Sequence, residues 1–234
     1  MEKKLKILCT ICARKGSTEI LNKNLKKING HPLIYYTIDQ AKRSNIFDKI
    51  VVSTDSKKIS DISQKLGAHS WFLRPKKLSN DKSPKVLAIK HAFKEAEKYF
   101  NKKFNILVDL DATSPLRKVT DIIRAVNKFK YSSANNLVTV CTSKKNPYFN
   151  MYEYKNKRLN RVKTLKKNII RRQDAPIIYE NNASIYIWSR KAILKNNKIL
   201  NKNTIFYEMP YERSIDIDSK FDFEIVKFLI KKNA

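Results

Sequence analysis

Glycine is scarce in this chain. It occurs three times in 234 residues, at Gly16, Gly30 and Gly67. Three glycines so placed build neither G-x-G-x-x-G nor G-x-x-x-x-G-K-[ST], which excludes the dinucleotide fingerprint and the Walker phosphate loop. Cysteine is equally rare, and Cys9, Cys12 and Cys141 cannot form a disulfide framework. Cys9 and Cys12 make a C-x-x-C, but within the strand-like run Lys6–Ala13 their spacing sends the two thiols to opposite faces. No second C-x-x-C completes a zinc site. This usage fits a reducing, cytoplasmic location. His31, His69 and His91 are not spaced as a metal set and read as structural or exposed. No apolar run approaches the roughly 20 residues of a membrane span. Met1 to Leu5 lead directly into a short apolar run, so no signal peptide is expected.

Acidic residues are also few, 21 against 50 Lys and Arg, for a net charge of +29. Such a balance first suggests nucleic acid. The lysines, however, are spread over almost every segment together with many Asn and Ile, a pattern that an AT-rich genome produces. They do not concentrate on one helix or tail, and no helix-turn-helix or RNA-recognition signature accompanies them. Nucleic acid is therefore disfavoured as the main partner, and small anionic substrates fit equally well.

What is present is an alternation. Strand-like runs occupy Leu5–Ala13, Lys49–Ser53, a short stretch near Ser70–Leu73, Asn105–Leu110 and Asn136–Cys141. Helical spacing links Leu33, Ile34, Ile38 and Ala41 after Pro32, then Ile59, Ile62 and Leu66 before Gly67. Val86, Ile89, Phe93, Ala96 and Phe100 follow, then Ile122, Ala125, Val126 and Phe129 behind a cap at Thr120 or its neighbour. This βαβα rhythm predicts an α/β fold with a mostly parallel sheet covered on both faces. The rhythm breaks after residue 142. Residues 143–180 are polar, basic and rich in Asn, Tyr and Arg, and read as an inserted β-rich lobe between an α/β domain made of 1–142 and 181–234. Strands are then expected over Asn182–Trp188, near Tyr207–Tyr211 and over Ile215–Asp218. A last amphipathic helix follows, with Phe221, Ile225, Phe228 and Leu229 on its apolar face.

The chemistry-bearing residues cluster at strand ends, where open α/β sheets bind ligands. The first strand runs into Ala13-Arg14-Lys15-Gly16-Ser17-Thr18-Glu19-Ile20-Leu21-Asn22-Lys23-Asn24. Its Arg and Lys offer charge-assisted donors and its Gly permits close backbone approach, a combination suited to phosphates. Ser53-Thr54-Asp55 and Arg74-Pro75 follow. Asp109 and Asp111 share one face of a strand, and Asp216 and Asp218 repeat the spacing. Paired carboxylates suit Mg²⁺ carried by a triphosphate; a strand-end cap is the plainer reading of either pair alone.

Taken together these blocks resemble the N-acylneuraminate cytidylyltransferases, whose loop has the form A-R-x-G-S-K-G-x-x-x-K-N. Pro32–Ile38, Val51-Val52-Ser53-Thr54-Asp55, Leu73-Arg74-Pro75, Thr113-Ser114-Pro115-Leu116-Arg117 and Ser214-Ile215-Asp216-Ile217-Asp218 match further family blocks in order, over essentially the whole chain. Asp109-Leu110-Asp111, Arg171–Pro176 and Asn182–Tyr186 look most like the bacterial branch that makes CMP-legionaminic acid. The resemblance implies a three-layer nucleotide-diphospho-sugar transferase-like sandwich. It implies coupling of CTP to a nine-carbon 2-keto sugar acid, with release of pyrophosphate. Arg14, Ser17 and Lys23 would hold the triphosphate. Asn24 and Arg74 would meet the cytidine, with the backbone near Ser83 reading the base. Asp216 and Asp218 would bind Mg²⁺, with Mn²⁺ as a substitute, and Asp218 would help deprotonate the attacking hydroxyl. Asp111 would face the sugar, and Arg171, Gln173 and Asn182 would shape its pocket. The 143–180 insertion would serve a homodimer and bring basic residues to the sugar carboxylate.

Two departures stand out. The family's loop Lys is Thr18 here, and its second Gly is Glu19. Losing a cation and adding an anion beside a triphosphate costs on the order of 1–4 kcal/mol per charge near a surface. Lys15 is the expected compensation. Lys85 stands where a small hydroxyl residue is often seen near the base. The alternatives are a CMP-neuraminate, pseudaminate or octulosonate synthetase, a weakened nucleotide-binding relative that binds CTP without turnover, and a basic nucleic-acid binder.

Overall fold

The strand Ile7–Cys12 (β1) is almost wholly apolar and buried, so both faces of the sheet around it need a cover. A computed structural model, which describes residues 5–16, 19–166, 169–195 and 197–232, supplies that cover as helical layers. After two very short strands, Lys27–Ile28 (β2) and His31–Pro32 (β3), the chain alternates Leu33–Ser44 (α1), Lys49–Ser53 (β4), Lys57–Lys65 (α2), Lys85–Tyr99 (α3), Ile106–Leu110 (β5), Val119–Lys130 (α4) and Asn136–Thr142 (β6). A hairpin follows, Tyr152–Lys155 (β7) and Arg158–Arg161 (β8). The chain then continues as Tyr179–Ser189 (β9), Arg190–Lys195 (α5), Thr204–Glu208 (β10) and Lys220–Lys232 (α6).

The six-stranded sheet has the order β10-β6-β9-β5-β1-β4. β1 pairs in parallel with β4 and β5, and β6 with β10; β9 alone runs against its neighbours. On one face Ile34, Ile38, Ile59, Ile122 and Val126 from α1, α2 and α4 pack on Cys9, Ile11 and Val108. On the other, Ile89, Phe93 and Ile193 from α3 and α5 pack on Leu8, Leu107 and Trp188. Cys9 and Cys12 accordingly belong to opposite faces. Ile217 joins Phe223 and Val226 of α6 in a third cluster with Ile20, Ile28 and Leu33. Among the described residues no helix is long and apolar enough to cross a membrane.

Local chemistry explains the boundaries. Gly67, at φ 89°, takes the left-handed position that ends α2. Elsewhere asparagine fills that role: Asn22, Asn29, Asn45, Asn101 and Asn156 all have positive φ. α4 is not capped by a hydroxyl at Thr120. Asp121, inside the first turn, accepts from the Lys118 N–H at 2.8 Å.

Three expectations are corrected. Residues 70–73 form no strand; isolated bridges join Val51 to His69 and Thr54 to Leu73. Ile215–Asp218 is an extended tether rather than a strand, held by Ile217 N–H donating to the Thr113 carbonyl at 3.0 Å. α6 buries Phe223 and Val226, while Phe221 and Phe228 are exposed, so the core lies against a different stripe from the one its spacing suggested.

Candidate functional site

The strand order reverses at β1. The chain leaves it for β4 on one side and later returns to β5 on the other. Connections that depart in opposite directions leave a crevice beyond the carboxyl ends of the two strands. A cavity of about 270 Å³ lies there, and Arg14, Lys23, Asn24, Arg74, Ser83 and Asp111 are among its lining residues. Six positions that the family resemblance singled out thus converge on one cleft.

Each of its cations is held by the protein's own acceptors. Arg14 is ion-paired with Asp81. Lys23 donates to the Ile217 carbonyl and lies 3.5 Å from Asp218. The buried Arg74 donates to Ser79 Oγ at 3.0 Å, and its N–H to the Thr54 carbonyl at 2.7 Å. Asn24 donates to the Arg14 carbonyl at 3.1 Å and keeps its buried Oδ1 without a partner.

One wall is acidic. The Asp111 carboxylate accepts from Thr113 N–H at 3.3 Å and Thr113 Oγ1 at 3.0 Å, and is paired with Lys85. Lys85 also stands 3.4 Å from the fully buried Asp109, whose other oxygen accepts from Thr10 Oγ1 at 2.7 Å. Burial alone would lower the Lys85 pKa, but Asp111 and Asp109 outweigh it and hold the ammonium charged. Burial and the like charges of Asp111 and Asp218 push Asp216 up to about 6. Its Oδ1 is buried with no hydrogen-bond partner. An oxygen of that kind, next to an exposed carboxylate at Asp218, fits a divalent cation that takes a few carboxylates and completes its shell with phosphate and water. Among the described residues no three acidic, His or Cys side chains form a ready-made cluster, so the protein alone offers a partial shell.

Behind this wall lies Arg117, 2% exposed. It donates to Gln40 Oε1 at 2.9 Å, Thr37 Oγ1 at 2.6 Å, the Ser184 carbonyl at 2.6 Å and the Asp111 carbonyl. Burial pulls its pKa down to about 10, which leaves it charged at neutral pH. The 210–218 segment is fixed from α4, where Arg213 pairs with both oxygens of the buried Asp121 at 2.9 and 2.8 Å.

The remaining expected residues lie elsewhere. Ser17 and Thr18 fall outside the described residues. Arg171 is exposed, pairs with Asp174 at 3.2 Å, and does not line the cleft; neither does the exposed Gln173. Asn182 is buried at the irregularity where β9 crosses β6. It accepts from Thr139 Oγ1 at 2.7 Å and donates to Ser214 Oγ at 2.8 Å, so both ends of its amide serve the fold. Lys15 lines a neighbouring cavity with Lys26, Lys57 and Lys58 rather than this one. The sequence placed Lys85 near the base and Arg117 in a family block but gave neither a role in the site. The signal for Arg117 was its place in the Thr113–Arg117 block; Lys85 offered only its departure from a small residue.

The profile of the family described as Cytidylyltransferase matches residues 8–231. The CMP-N,N'-diacetyllegionaminic acid synthase of Campylobacter jejuni is 44% identical over 224 residues, 96% of this chain and 94% of its own. The post-translational flagellin modification protein B of Campylobacter coli is 43% identical over 226 residues, 97% and 95% of the two chains. An N-acylneuraminate cytidylyltransferase of Escherichia coli is 31% identical over 97% of this chain and 53% of its own. Among solved structures, a CMP:2-keto-3-deoxy-manno-octonic acid synthetase complexed with CTP superposes with a TM-score of 0.73 at 14% identity, covering 98% of this chain and 100% of that one. A 4-diphosphocytidyl-2C-methyl-D-erythritol synthase from Anaerococcus prevotii gives 0.66 at 13% identity, with the same coverage. At those identities the likeness is one of fold.

Proposed function

The chain belongs to the cytidylyltransferase family, and from that premise we propose that it couples CTP to a nine-carbon 2-keto sugar acid, legionaminic acid or a close derivative. The enzyme is a nucleotidyltransferase. The observation that carries the substrate reading is the 44% identity, over nearly both whole chains, to a CMP-N,N'-diacetyllegionaminic acid synthase. The convergence of Arg14, Lys23, Asn24, Arg74 and Asp111 on one cleft supports it. CMP-neuraminate, pseudaminate and octulosonate synthesis are the alternatives within the family.

In this reaction the anomeric hydroxyl of the sugar attacks the α-phosphorus of CTP. A sugar O–P bond forms, the bond to the β-phosphate oxygen breaks, and pyrophosphate leaves with the electron pair. Such transfer is mostly positioning and charge stabilisation. Arg14 and Lys23, with Ser17 from the resemblance, hold the triphosphate. Asn24 and Arg74 meet the cytidine, with the backbone near Ser83 at the base. Asp111 faces the sugar, and Asp218, exposed at the cleft edge, accepts the hydroxyl proton. Mg²⁺ fits Asp216 and Asp218, and when bound there it offsets negative charge on the phosphates. We further read the protein as a cytoplasmic homodimer. Three free thiols support the location, and bare apolar side chains on the 143–180 segment support the dimer.

The test is pyrophosphate release with Mg²⁺ over a grid of four nucleoside triphosphates and three nine-carbon sugar acids. Release with CTP plus one acid is expected. A second reading, a weakened relative, rests on Thr18 and Glu19; it predicts CTP binding with no release anywhere on the grid.

A further inference from the structure

The cleft wall that would face the sugar carries the Asp111 carboxylate, yet the proposed substrate brings a carboxylate of its own. An acid sugar entering such a wall needs a cation beside it. Lys23 is held at Ile217 and Asp218 and belongs with the phosphates. Arg14 pairs with Asp81, on the residue 79–83 loop. Arg171 of the insertion pairs with Asp174 and lies outside the cleft. Arg74 is buried, donates to Ser79 and belongs with the cytidine. That leaves, among the cations of this chain that line the cleft, Lys85, which has its side chain 28% exposed and touches Asp111.

We propose that Lys85 is a specificity-determining residue that binds the carboxylate of the sugar acid. The inference rests on the nonulosonate reading above. An ammonium has three donors. Asp111 takes one, and Asp109 Oδ2 lies 3.4 Å away without a hydrogen bond, so the ammonium keeps donor capacity for a ligand. The Tyr186 ring, its centroid 4.8 Å from the ammonium, packs against one flank of it. The charge balance argues for a single carboxylate rather than the triphosphate. Lys85 contributes one positive charge against the two carboxylates of Asp109 and Asp111, and Arg117 behind them brings the group to neutrality. A neutral group does not draw a polyanion, but its outward N–H makes a short charge-assisted bond to one carboxylate. The two aspartates also hold the ammonium in place before the substrate arrives, which reduces the ordering cost of binding. Lys85 therefore distinguishes a sugar acid from a sugar that lacks the acid group, a discrimination that the phosphate-binding residues do not provide.

The experiment compares the accepted sugar acid with its C1 amide, which is similar in size and uncharged. Wild type and two variants are measured with CTP at saturation and then with CTP varied. The variants are Lys85→Met and the double variant Lys85→Met with Asp109→Asn. The double variant removes the buried charge that Lys85→Met strands, and it serves where the single variant fails to fold. The expected result is a rise of roughly 30-fold in KM for the sugar acid, the scale of losing one partner of a buried charge pair. KM for CTP should stay within about twofold, and the wild-type preference for acid over amide should fall to about one. A shift in KM for CTP instead, or an unchanged acid-to-amide preference in the folded double variant, overturns the proposal and leaves Lys85 as a nucleotide ligand or a structural ion pair. A wild-type enzyme that turns over none of the acids with CTP overturns the nonulosonate reading itself, an outcome distinct from either.

Discussion

The cleft and the 143–180 segment solve opposite problems with similar residues. Around the cleft charged groups are dense, yet Arg14, Lys23, Arg74 and Lys85 each have an acceptor within the chain. On the β7–β8 hairpin every residue is exposed except the half-buried Arg161. There Tyr154 and Leu159 stand 75% and 72% exposed, and Ile170 and Ile177 nearby are similarly bare. The cations of the first region are met by acceptors of the same chain. The second leaves several large apolar side chains bare. One chain thus contains a cleft self-sufficient in its charge pairing and a segment whose apolar side chains lie bare.

Four experiments break or sharpen that contrast. The largest effect is expected at Arg117, on which the self-sufficiency of the cleft depends. Arg117→Met strands the Asp111 and Ser184 carbonyls and the Gln40 amide oxygen, and should cost about 3–5 kcal/mol in a denaturant titration. A loss below about 1 kcal/mol would mean that the wall stands without it.

Asp216 comes next, because there the cleft is poised against its own stability. Its folded pKa of about 6 lies above the ordinary 3.8. A raised carboxyl binds its proton more tightly when folded, so its contribution is fully present below about pH 4 and is lost as pH climbs to 6. The cost at pH 7.5 is on the order of 1–3 kcal/mol. Metal-free Asp216→Asn should therefore melt several degrees higher than wild type at pH 7.5, and equally at pH 4. Turnover should fall by about a hundredfold or more, the scale of removing one preorganised electrostatic group. Calorimetry at the two pH values and the pyrophosphate assay check both halves; an unchanged melting temperature at pH 7.5 would break the link between strain and function.

The 143–180 segment should respond in the reverse sense. Tyr154→Asp with Leu159→Asp should leave denaturant stability within about 0.5 kcal/mol per site, since neither side chain is buried. Light scattering should meanwhile show a dimer become a monomer. A wild type that is already monomeric removes the contrast. The smallest effect is expected on α6, where Phe228→Ser should stay within about 0.5 kcal/mol while Phe223→Ala costs roughly 3.

Much of the molecule is legible in its residues. The stripes of α1, α3 and α4 each bury one face, and a 3.6-residue period reads such burial directly. α6 carries apolar residues on two faces, and only the cluster around Ile217 decides which of them goes inside. Ile215–Asp218 alternates like a strand because an extended tether and a strand share the same period, and the partners that distinguish them, Thr113 and Lys23, lie far back in the chain. The cleft was readable because family motifs sit at strand ends. Lys85 was not, since its partner Asp111 comes 26 residues later and the pairing exists only once α3 lies against β1, the strand beside β5. Asn182 carried the right motif, but its amide had been committed to Thr139 and Ser214 by a register shift that no local pattern announces.

Among the described residues five asparagines hold left-handed backbone, against two glycines, one lysine and one alanine. A gene drifting toward adenine and thymine loses glycine codons while it gains those for asparagine and lysine. Most side chains would block such a drift at every tight corner, but asparagine tolerates the left-handed region. The corners of this fold can therefore follow the mutational bias of a genome, and the nucleotide site they frame can be inherited intact through it.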